Sequence, residues 1–576
     1  MRLKSITIEN FRAIKNCSIT FHELTAIVGE NNSGKTAILR ALDSFFNYEN
    51  EKCDFQNGAH RYAPRTITKI VVTFSEVPDK DDYSALLDSN GEMRIRFTYN
   101  YSKSGTGRRL YYEKNGECRP IEVSFIDTLK TDIDFIYIPA SRSSRDIEWS
   151  EESVFTKLIT RYLENYTKNR DTLSQKAIVA GNKILEQVLQ RLARELTDLN
   201  MCNDIGQYQI NYKSAVDYTI FLDRLGLGIV NTEETRSLPV TEYGSGIKSL
   251  TVIALHRMLA NLNGVSIVLG IEEPETNLHP QAQRQLIDSL KKARQSCETQ
   301  AVFATHSTVI VDALEHEDIV LVRKIKDTNR DFHAEAKQLS DTFWEDYGIQ
   351  ELKHYNFFRY RNSDFFFSRF VVLAESITDA QVIEHLLKNE SSDKLYYVSI
   401  INLEGVKNIK YPFFLLRDLG IPFVAVVDKD FFTGYKNDSL EMSRNEETWL
   451  PEYSGTLTNS KAIQAVFDET TRKVLQSYLN ASYTQFFDYV KSYGFLPMQY
   501  CLEMDLVANE KTREKYYDFF DLEGEQRNTK TLLIDKKNAI KEPTVLLPIV
   551  QSVSPRDYPI SYKKIRRYLL NIITEL

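Results

Sequence analysis

The chain has 576 residues and a net charge of −8, with 42% hydrophobic and 26% charged residues. That length exceeds what one hydrophobic core supports and predicts several domains of ordinary globular composition. No apolar run reaches the roughly 18 residues of a membrane span, and the opening MRLKSITIENF alternates like a strand instead of forming a secretory h-region. The acidic balance weighs against nucleic-acid binding, but a local basic groove or a metal-neutralised acidic site is invisible to a net sum. Six cysteines (Cys17, Cys53, Cys118, Cys202, Cys297 and Cys501) form no CxxC pair and no Cys/His zinc spacing. They read as reduced thiols of a cytoplasmic protein.

Apolar patterning predicts strands over Leu3–Ile8, Ser18–Phe21 and Leu24–Val28, then a glycine loop and a helix over Thr36–Phe46. Residues 50–120 are polar and turn-rich, with short strands such as Ile67–Phe74 and Met93–Tyr101. A further strand, Phe135–Ile138, ends at Pro139. Between 153 and 200 the pattern is helical. Phe155, Leu158, Ile159, Tyr162, Leu163 and Tyr166 share one face, and Ile184, Val188, Leu192, Leu196 and Leu199 a second. No heptad run is long enough for extended coiled-coil arms. Helix and strand alternate from 245 to 325, and residues 327–368 form a charged, aromatic junction. From Phe370 a β-α-β-α-β order begins, with strands at 370–374, 395–401 and 423–427.

Gly29-Glu30-Asn31-Asn32-Ser33-Gly34-Lys35-Thr36 fits GxxxxGK[ST] between an apolar strand and a helix, the context in which backbone N–H groups cradle phosphates. Gly29, Asn31, Asn32, Ser33 and Gly34 supply that cradle, Lys35 reaches the β- and γ-phosphates, and Thr36 holds Mg²⁺. The apolar strand Val265–Ile271 runs into Glu272-Glu273-Pro274-Glu275. Glu272 is placed to hold the metal and Glu273 to orient the attacking water. One strand later, Ala301–Ala304 ends at Thr305-His306-Ser307, which makes His306 a γ-phosphate sensor. Small residues at Tyr243-Gly244-Ser245-Gly246-Ile247-Lys248-Ser249 open a helix and suit phosphate contact through Ser245 and Gly246. Gln56 is a candidate Q-loop residue.

The second half carries acids. Glu375 follows the strand Phe370–Ala374, and Asp428-Lys429-Asp430 follows the strand Phe423–Val427, 53 residues further on. Strand ends in an open α/β sheet share one edge, where such sheets bind ligands, and alternate residues of an extended Asp-x-Asp face one way. Glu375, Asp379, Asp428 and Asp430, completed by Glu503 and Asp505, would repel unless a hard divalent ion, Mg²⁺ or Mn²⁺, neutralised them. Two such ions clamp a phosphodiester. Lys541 is a candidate to stabilise the charge of the phosphorane, with Lys536 and Lys537 as rivals. Arg142, Arg145 and the run Lys563-Lys564-Ile565-Arg566-Arg567 are candidate backbone contacts for nucleic acid or solvated faces.

Ile8-Glu9-Asn10-Phe11-Arg12 and Glu272-Glu273-Pro274-Glu275-Thr276-Asn277-Leu278-His279-Pro280 resemble the RecF/SMC/overcoming-lysogenisation-defect branch of the ABC ATPases. The resemblance implies that Gly244–Ser249 is a signature motif acting in trans, hence a head-to-head dimer. Two departures are the first acid, Glu272 where Asp is commoner, and GSG in place of SGG. The acids at 375, 428 and 430 resemble a Toprim domain, with Ser376 where Gly is usual and Asp379 where nucleases commonly have Glu.

ATPase followed by Toprim is the architecture of overcoming-lysogenisation-defect family nucleases, similar to those of Gabija-type antiphage systems and of retron-associated effectors. The expected fold is therefore α/β: an ABC-type P-loop ATPase with a helical, dimerising insertion, then a C-terminal Toprim domain. The expected boundaries are 1–150 and 236–330 for the ATPase, 151–235 for the insertion, 331–368 for the junction, 369–550 for Toprim and 551–576 for a basic tail. The implied function is ATP-regulated, metal-dependent DNA cleavage in host defence, with ATP and Mg²⁺ or Mn²⁺ as cofactors. DNA and a second copy of the chain are the expected partners, together with a neighbouring-gene helicase or a reverse transcriptase with its RNA/DNA product. The alternatives are an ATP-switched DNA clamp with an inactive Toprim domain, or a Toprim topoisomerase or primase.

Overall fold

The computed structural model describes residues 1–102, 107–141, 153–165, 227–230, 237–293, 299–326, 332–350, 362–388 and 394–576, with isolated positions between. Tyr166, Ile184, Val188, Leu192, Leu196, Leu199, Arg142 and Arg145 lie outside the described residues, as do Cys202, Cys297 and most of the expected insertion. The chain divides into two compact units. One is Met1–Ile27, Gly34–Ile310 and Lys324–Glu335. The other is Val28–Ser33, Val311–Arg323 and Ala336–Leu576.

In the first unit, ten strands form two kinds of arm. One is antiparallel, ordered Glu117–Ile121, Arg108–Lys114, Met93–Asn100, Ile67–Ser75, Arg2–Phe11, Ile14–Thr20. Its strands alternate buried and partly exposed residues, as Met93–Asn100 does, because only one face packs on apolar neighbours. The other arm is parallel, ordered Leu24–Val28, Thr299–Ala304, Ser266–Glu272, Ile133–Ile138. Leu24–Val28 is buried throughout, and the helix Lys35–Phe46 packs on this arm, with Phe46 stacked on Phe135 at 6.0 Å. A helix, Tyr48–Gln56, stands where the sequence reads as turn-rich. Phe55 holds it down at the centre of an aromatic cluster with Phe11, Phe97 and Tyr99. Phe155, Leu158 and Ile159 of the helix Val154–Asn165 pack on Leu255 of the helix Ser245–Asn263, the face their spacing predicts, while Tyr162 on the same helix is exposed.

The second unit carries a four-stranded parallel sheet in the order Val398–Asn402, Phe370–Ala374, Phe423–Val427, Phe495–Pro497. FVVLA is buried throughout and FVAVV nearly so because both faces are covered. Phe370, Val372, Ala374, Val424 and Val426 face a core shared with the helices Ile377–Lys388, Pro543–Gln551 and Ile560–Glu575. On the other face Phe413 of the helix Lys410–Asp418 meets Phe423 and Phe495. Three expectations change here. The second strand begins at Val398, after a 3-10 turn over Leu395–Tyr397. The three-residue fourth strand was too short to show periodicity. The expected tail is a helix whose Tyr562, Ile565, Leu569 and Ile573 are buried in the core beside this sheet.

Candidate active sites

The phosphate loop curls because its backbone enters left-handed space at Gly29 (φ 141°), Asn32 (φ 58°) and Gly34 (φ 111°). A Cβ on Gly29 would lie 2.1 Å from the Val322 carbonyl oxygen, so only glycine fits. Gly34 caps the helix Lys35–Phe46, which directs the helix N-terminus at the loop. Ser33 is fully buried with its hydroxyl unpaired by protein atoms, an orphan that a phosphate oxygen would satisfy. Lys35 is buried, while Asn31, Asn32 and Thr36 are exposed.

Glu272 ends the strand Ser266–Glu272 and accepts from the Ala140 N–H at 3.4 Å. Glu273 adopts φ 41°, unusual for a side-chain-bearing residue, and its N–H donates to the Ala304 carbonyl at 2.8 Å. The third acid, Glu275, has a role the sequence reading missed. It accepts from the Thr305 hydroxyl at 2.9 Å and from the His306 N–H at 2.7 Å, so it fixes the segment that presents His306. Burial and the neighbouring Lys35 charge lower the His306 pKa, with Glu273 opposing. His306 is therefore neutral at pH 7. Ser245 is exposed at the start of the helix Ser245–Asn263, and Gly246 passes so close to Asn277 that a Cβ would meet its carbonyl oxygen at 2.5 Å. Gln56 is an exposed residue at the end of its helix.

Beside the first acid, Glu272, runs a buried polar network that no motif signalled. Arg40 lies 4.5 Å over the Tyr137 ring and is paired with Glu51. Glu51 also faces His60 Nε2 at 2.8 Å, and Arg12 of the IENFR motif donates to His60 Nδ1 at 3.1 Å. Burial alone would raise the Glu51 carboxyl, but His60 and Arg40 outweigh it and hold it at about 2. Among the described residues, Glu51, Asp54 and His60 form the tightest group of potential metal ligands, with donor atoms within 4.8 Å of one another. The two guanidiniums already neutralise that group, which makes it an ion-pair network.

In the second unit, Glu375 and Asp428 end adjacent parallel strands. Asp430 reaches the same edge differently from the expected extended Asp-x-Asp. Only Asp428 is extended, and Lys429–Phe431 is a 3-10 turn. Burial, then Asp430 and Asp379, raise the Glu375 pKa to about 7. Asp428 is pushed well above the usual range by burial and by Asp379, Glu375, Asp430 and Glu503. Asp430 is raised by burial and Glu503, against a 3.5 Å hydrogen bond from Tyr435 and the charge of Lys541. Asp379 is buried and raised by desolvation. Its Oδ2 accepts from the Ser376 hydroxyl at 2.5 Å and N–H at 3.1 Å, while Ser376 accepts from the Asp379 N–H, a capping box that opens the helix Ile377–Lys388. Ser376, which departs from the Toprim pattern, is thus the capping residue.

Glu503 is buried and pairs with Lys541 at 3.0 Å, which selects Lys541 over Lys536 and Lys537. Burial would lower the Lys541 pKa, but Glu503 and Asp428 outweigh it and keep the ammonium charged. Asp505 is a correction. Its Oδ1 accepts from the Tyr500 N–H at 2.7 Å and its Oδ2 from the Gln499 N–H at 2.9 Å and the Ser561 hydroxyl, so it ties a turn to the last helix. Glu503 and Asp505 stand two positions apart in the helix Leu502–Ala508, about 200° around the axis, and cannot line one site. The remaining donors, Glu375, Asp379, Asp428, Asp430 and Glu503, are all carboxylates. Glu375 Oε2 is buried without a hydrogen-bond partner. That donor set and that orphan oxygen fit a hard divalent cation.

A family model for AAA ATPase domains matches residues 1–134 and 110–311, more than half of the chain. The chain belongs to this AAA ATPase family. A model described as the overcoming lysogenization defect protein-like Toprim domain matches residues 366–430, which include Glu375, Asp379, Asp428 and Asp430. Three curated relatives are similar to this chain. An OLD nuclease of Thermus scotoductus is 24% identical over 77% of this chain and 85% of its own. The endonuclease GajA of Bacillus cereus is 21% identical over 82% of each chain. A retron Vc95 probable ATPase of Vibrio cholerae is 21% identical over 56% of this chain and 74% of its own. An AAA ATPase domain is thus followed by a segment that matches a Toprim model, and no helix among the described residues is long and apolar enough to cross a membrane.

Proposed function

We propose that this protein is an ATP-regulated, divalent-metal-dependent DNA endonuclease and a cytoplasmic effector of antiphage defence. The observation that carries the reading is the gathering of Glu375, Asp428 and Asp430 at one edge of a parallel sheet, with a buried, unpaired Glu375 oxygen among them. Relatives named as nucleases support the choice of DNA, and a relative named for a retron supports the defence role.

Glu375, Asp428 and Asp430 would hold Mg²⁺ or Mn²⁺, with Asp379 and Glu503 beside them. Such an ion, when bound, neutralises the scissile phosphate and lowers the pKa of an attacking water. Lys541, held by Glu503, places a cation where charge develops on the phosphorane. In the ATPase, Lys35 and Thr36 engage the phosphates and Mg²⁺, Glu272 supports the metal, Glu273 orients water, and neutral His306 reads the γ-phosphate. On this reading the ATPase would occupy residues 1–150 and 236–330, with 151–235 as an insertion, 331–368 as a junction and Toprim from about 369. Exposed Ser245, with Gly246 behind it, suits a head-to-head dimer in which each copy completes the other's nucleotide site. A neighbouring-gene helicase or reverse transcriptase would supply the trigger.

The test incubates the full-length protein with supercoiled and linear DNA in Mg²⁺ or Mn²⁺, with and without ATP, beside an Asp428→Ala/Asp430→Ala variant. Metal-dependent cutting that vanishes in the variant is expected. Cutting that persists in the variant would overturn the Toprim assignment. No cutting even with neighbouring-gene products present would favour the clamp.

A further inference from the structure

A carboxylate inside a phosphate-binding loop is electrostatically costly, since it stands beside a polyanion. Glu30 is such a residue, directly after Gly29. Its side chain meets Arg369, whose Nε donates to Glu30 Oε1 at 3.0 Å. The two side chains are 26% and 35% exposed, so solvent screens the pair only in part.

Arg369 is itself held on several sides. Its guanidinium lies 4.2 Å over the Tyr397 ring, and Nη1 donates to the Leu576 carbonyl at 3.0 Å. Its N–H donates to the Tyr397 carbonyl at 2.8 Å, and its own carbonyl accepts from Arg323 at 3.3 Å. Glu30, Arg323, Arg369, Tyr397 and Leu576 all fall within one compact unit. Arg369 immediately precedes the fully buried strand Phe370–Ala374, and the next residue after that strand is Glu375.

We propose that Arg369 is a positioning residue of the nucleotide site: by neutralising Glu30 it supports phosphate binding and ties that binding to the strand carrying Glu375. The inference rests on the ATP-regulated nuclease reading and adds the residue through which nucleotide and nuclease communicate. Coupling of this kind is reciprocal, so a change at Arg369 alters nucleotide affinity even though it lies more than 300 residues from the loop in sequence. Without the Arg369 charge beside it, the Glu30 carboxylate repels the phosphates. With Glu30 also neutral, that repulsion is gone.

The test is a double-mutant cycle on the full chain, read by anisotropy of a fluorescent ATP analogue. Arg369→Ala is expected to weaken binding about fivefold or more, the lower edge of typical site-to-site coupling. Glu30→Gln is expected to bind as well as wild type or better, and Glu30→Gln/Arg369→Ala to return to the Glu30→Gln value. Arg369→Lys, which keeps the charge but loses the stacking on Tyr397 and the bond to Leu576, is expected to fall between wild type and Arg369→Ala. Nicking of supercoiled DNA in Mn²⁺ with and without ATP supplies a second readout, and its ATP ratio should move toward one in the double variant. A double variant as weak as Arg369→Ala, or an Arg369→Ala variant that binds like wild type, overturns the inference. Wild-type protein that binds no nucleotide overturns the ATP reading and this inference with it. Wild type that binds nucleotide but never cuts DNA removes only the nuclease reading and leaves the binding cycle decisive.

Discussion

Lowering the proton concentration should destabilise the metal-free Toprim unit, and a divalent cation should reverse the loss. An unfolded glutamate titrates near 4.5, whereas burial, Asp430 and Asp379 raise Glu375 to about 7. The folded state therefore binds more protons between those values, so stability falls as pH rises through that window. Raising this carboxyl from near 4.5 to about 7 corresponds to roughly 3 kcal/mol from this group alone, with Asp428, Asp430 and Asp379 acting in the same direction. For a unit of this size that is a Tm difference of roughly 6–12 °C. Calorimetry at pH 5.5 and pH 8, with and without Mn²⁺, measures about two-thirds of it, the part that titrates between those values. The ion should raise Tm several degrees more at pH 8, and Glu375→Gln should shrink that pH-dependent increment. An equal Tm gain at both pH values, or a Glu375→Gln variant identical to wild type, would show that these carboxylates do not share a cation.

Asp505→Asn should act on folding alone. Asn can accept some of the three hydrogen bonds but presents an NH₂ to a backbone donor, a loss of about 2–4 kcal/mol. The expected result is a lower Tm with an unchanged metal midpoint for DNA cutting, and a shifted midpoint would restore Asp505 to the metal site. Glu275→Ala should slow ATP turnover roughly tenfold or more with little change in ATP binding, since Glu275 positions His306. Equal loss of affinity, compared by single-turnover hydrolysis and nucleotide titration, would refute that division. Gly246→Ala forces a Cβ against the Asn277 carbonyl and should abolish nucleotide-dependent self-association in sedimentation, while ATP binding by the single chain persists. Lys541→Met should lower cutting and Tm together, because it leaves Glu503 buried without its cation, and Lys541→Arg should recover part of both.

Local chemistry was legible in the linear chain. GxxxxGKT between strand and helix, a double acid closing an apolar strand, and Glu375 and Asp428 at the ends of FVVLA and FVAVV are short-range patterns. Their backbone context follows from a few neighbouring residues. Both of those strands have the predicted bounds, because a strand covered on both faces is continuously apolar and its ends are sharp.

Long-range partners decided the rest. Periodicity places Glu503 and Asp505 on one helix but does not say which neighbour each meets. The fold turns Glu503 to Lys541 and Asp505 to Ser561, residues 38 and 56 positions away. Glu275 reads as one more acid until Thr305 and His306 are brought against it. Glu51 and His60 carry no motif, since an ion-pair network needs only opposite charges at the right distance. The basic run at 563–567 looked like a solvated tail because charge dominates its sequence. Ile565 within it, and Tyr562, Leu569 and Ile573 around it, find a core that only the assembled sheet provides. Sequence thus determined which chemistry is present and at which strand ends, and tertiary structure determined which carboxylates share it, because side-chain direction and pairing are properties of packing and not of order along the chain.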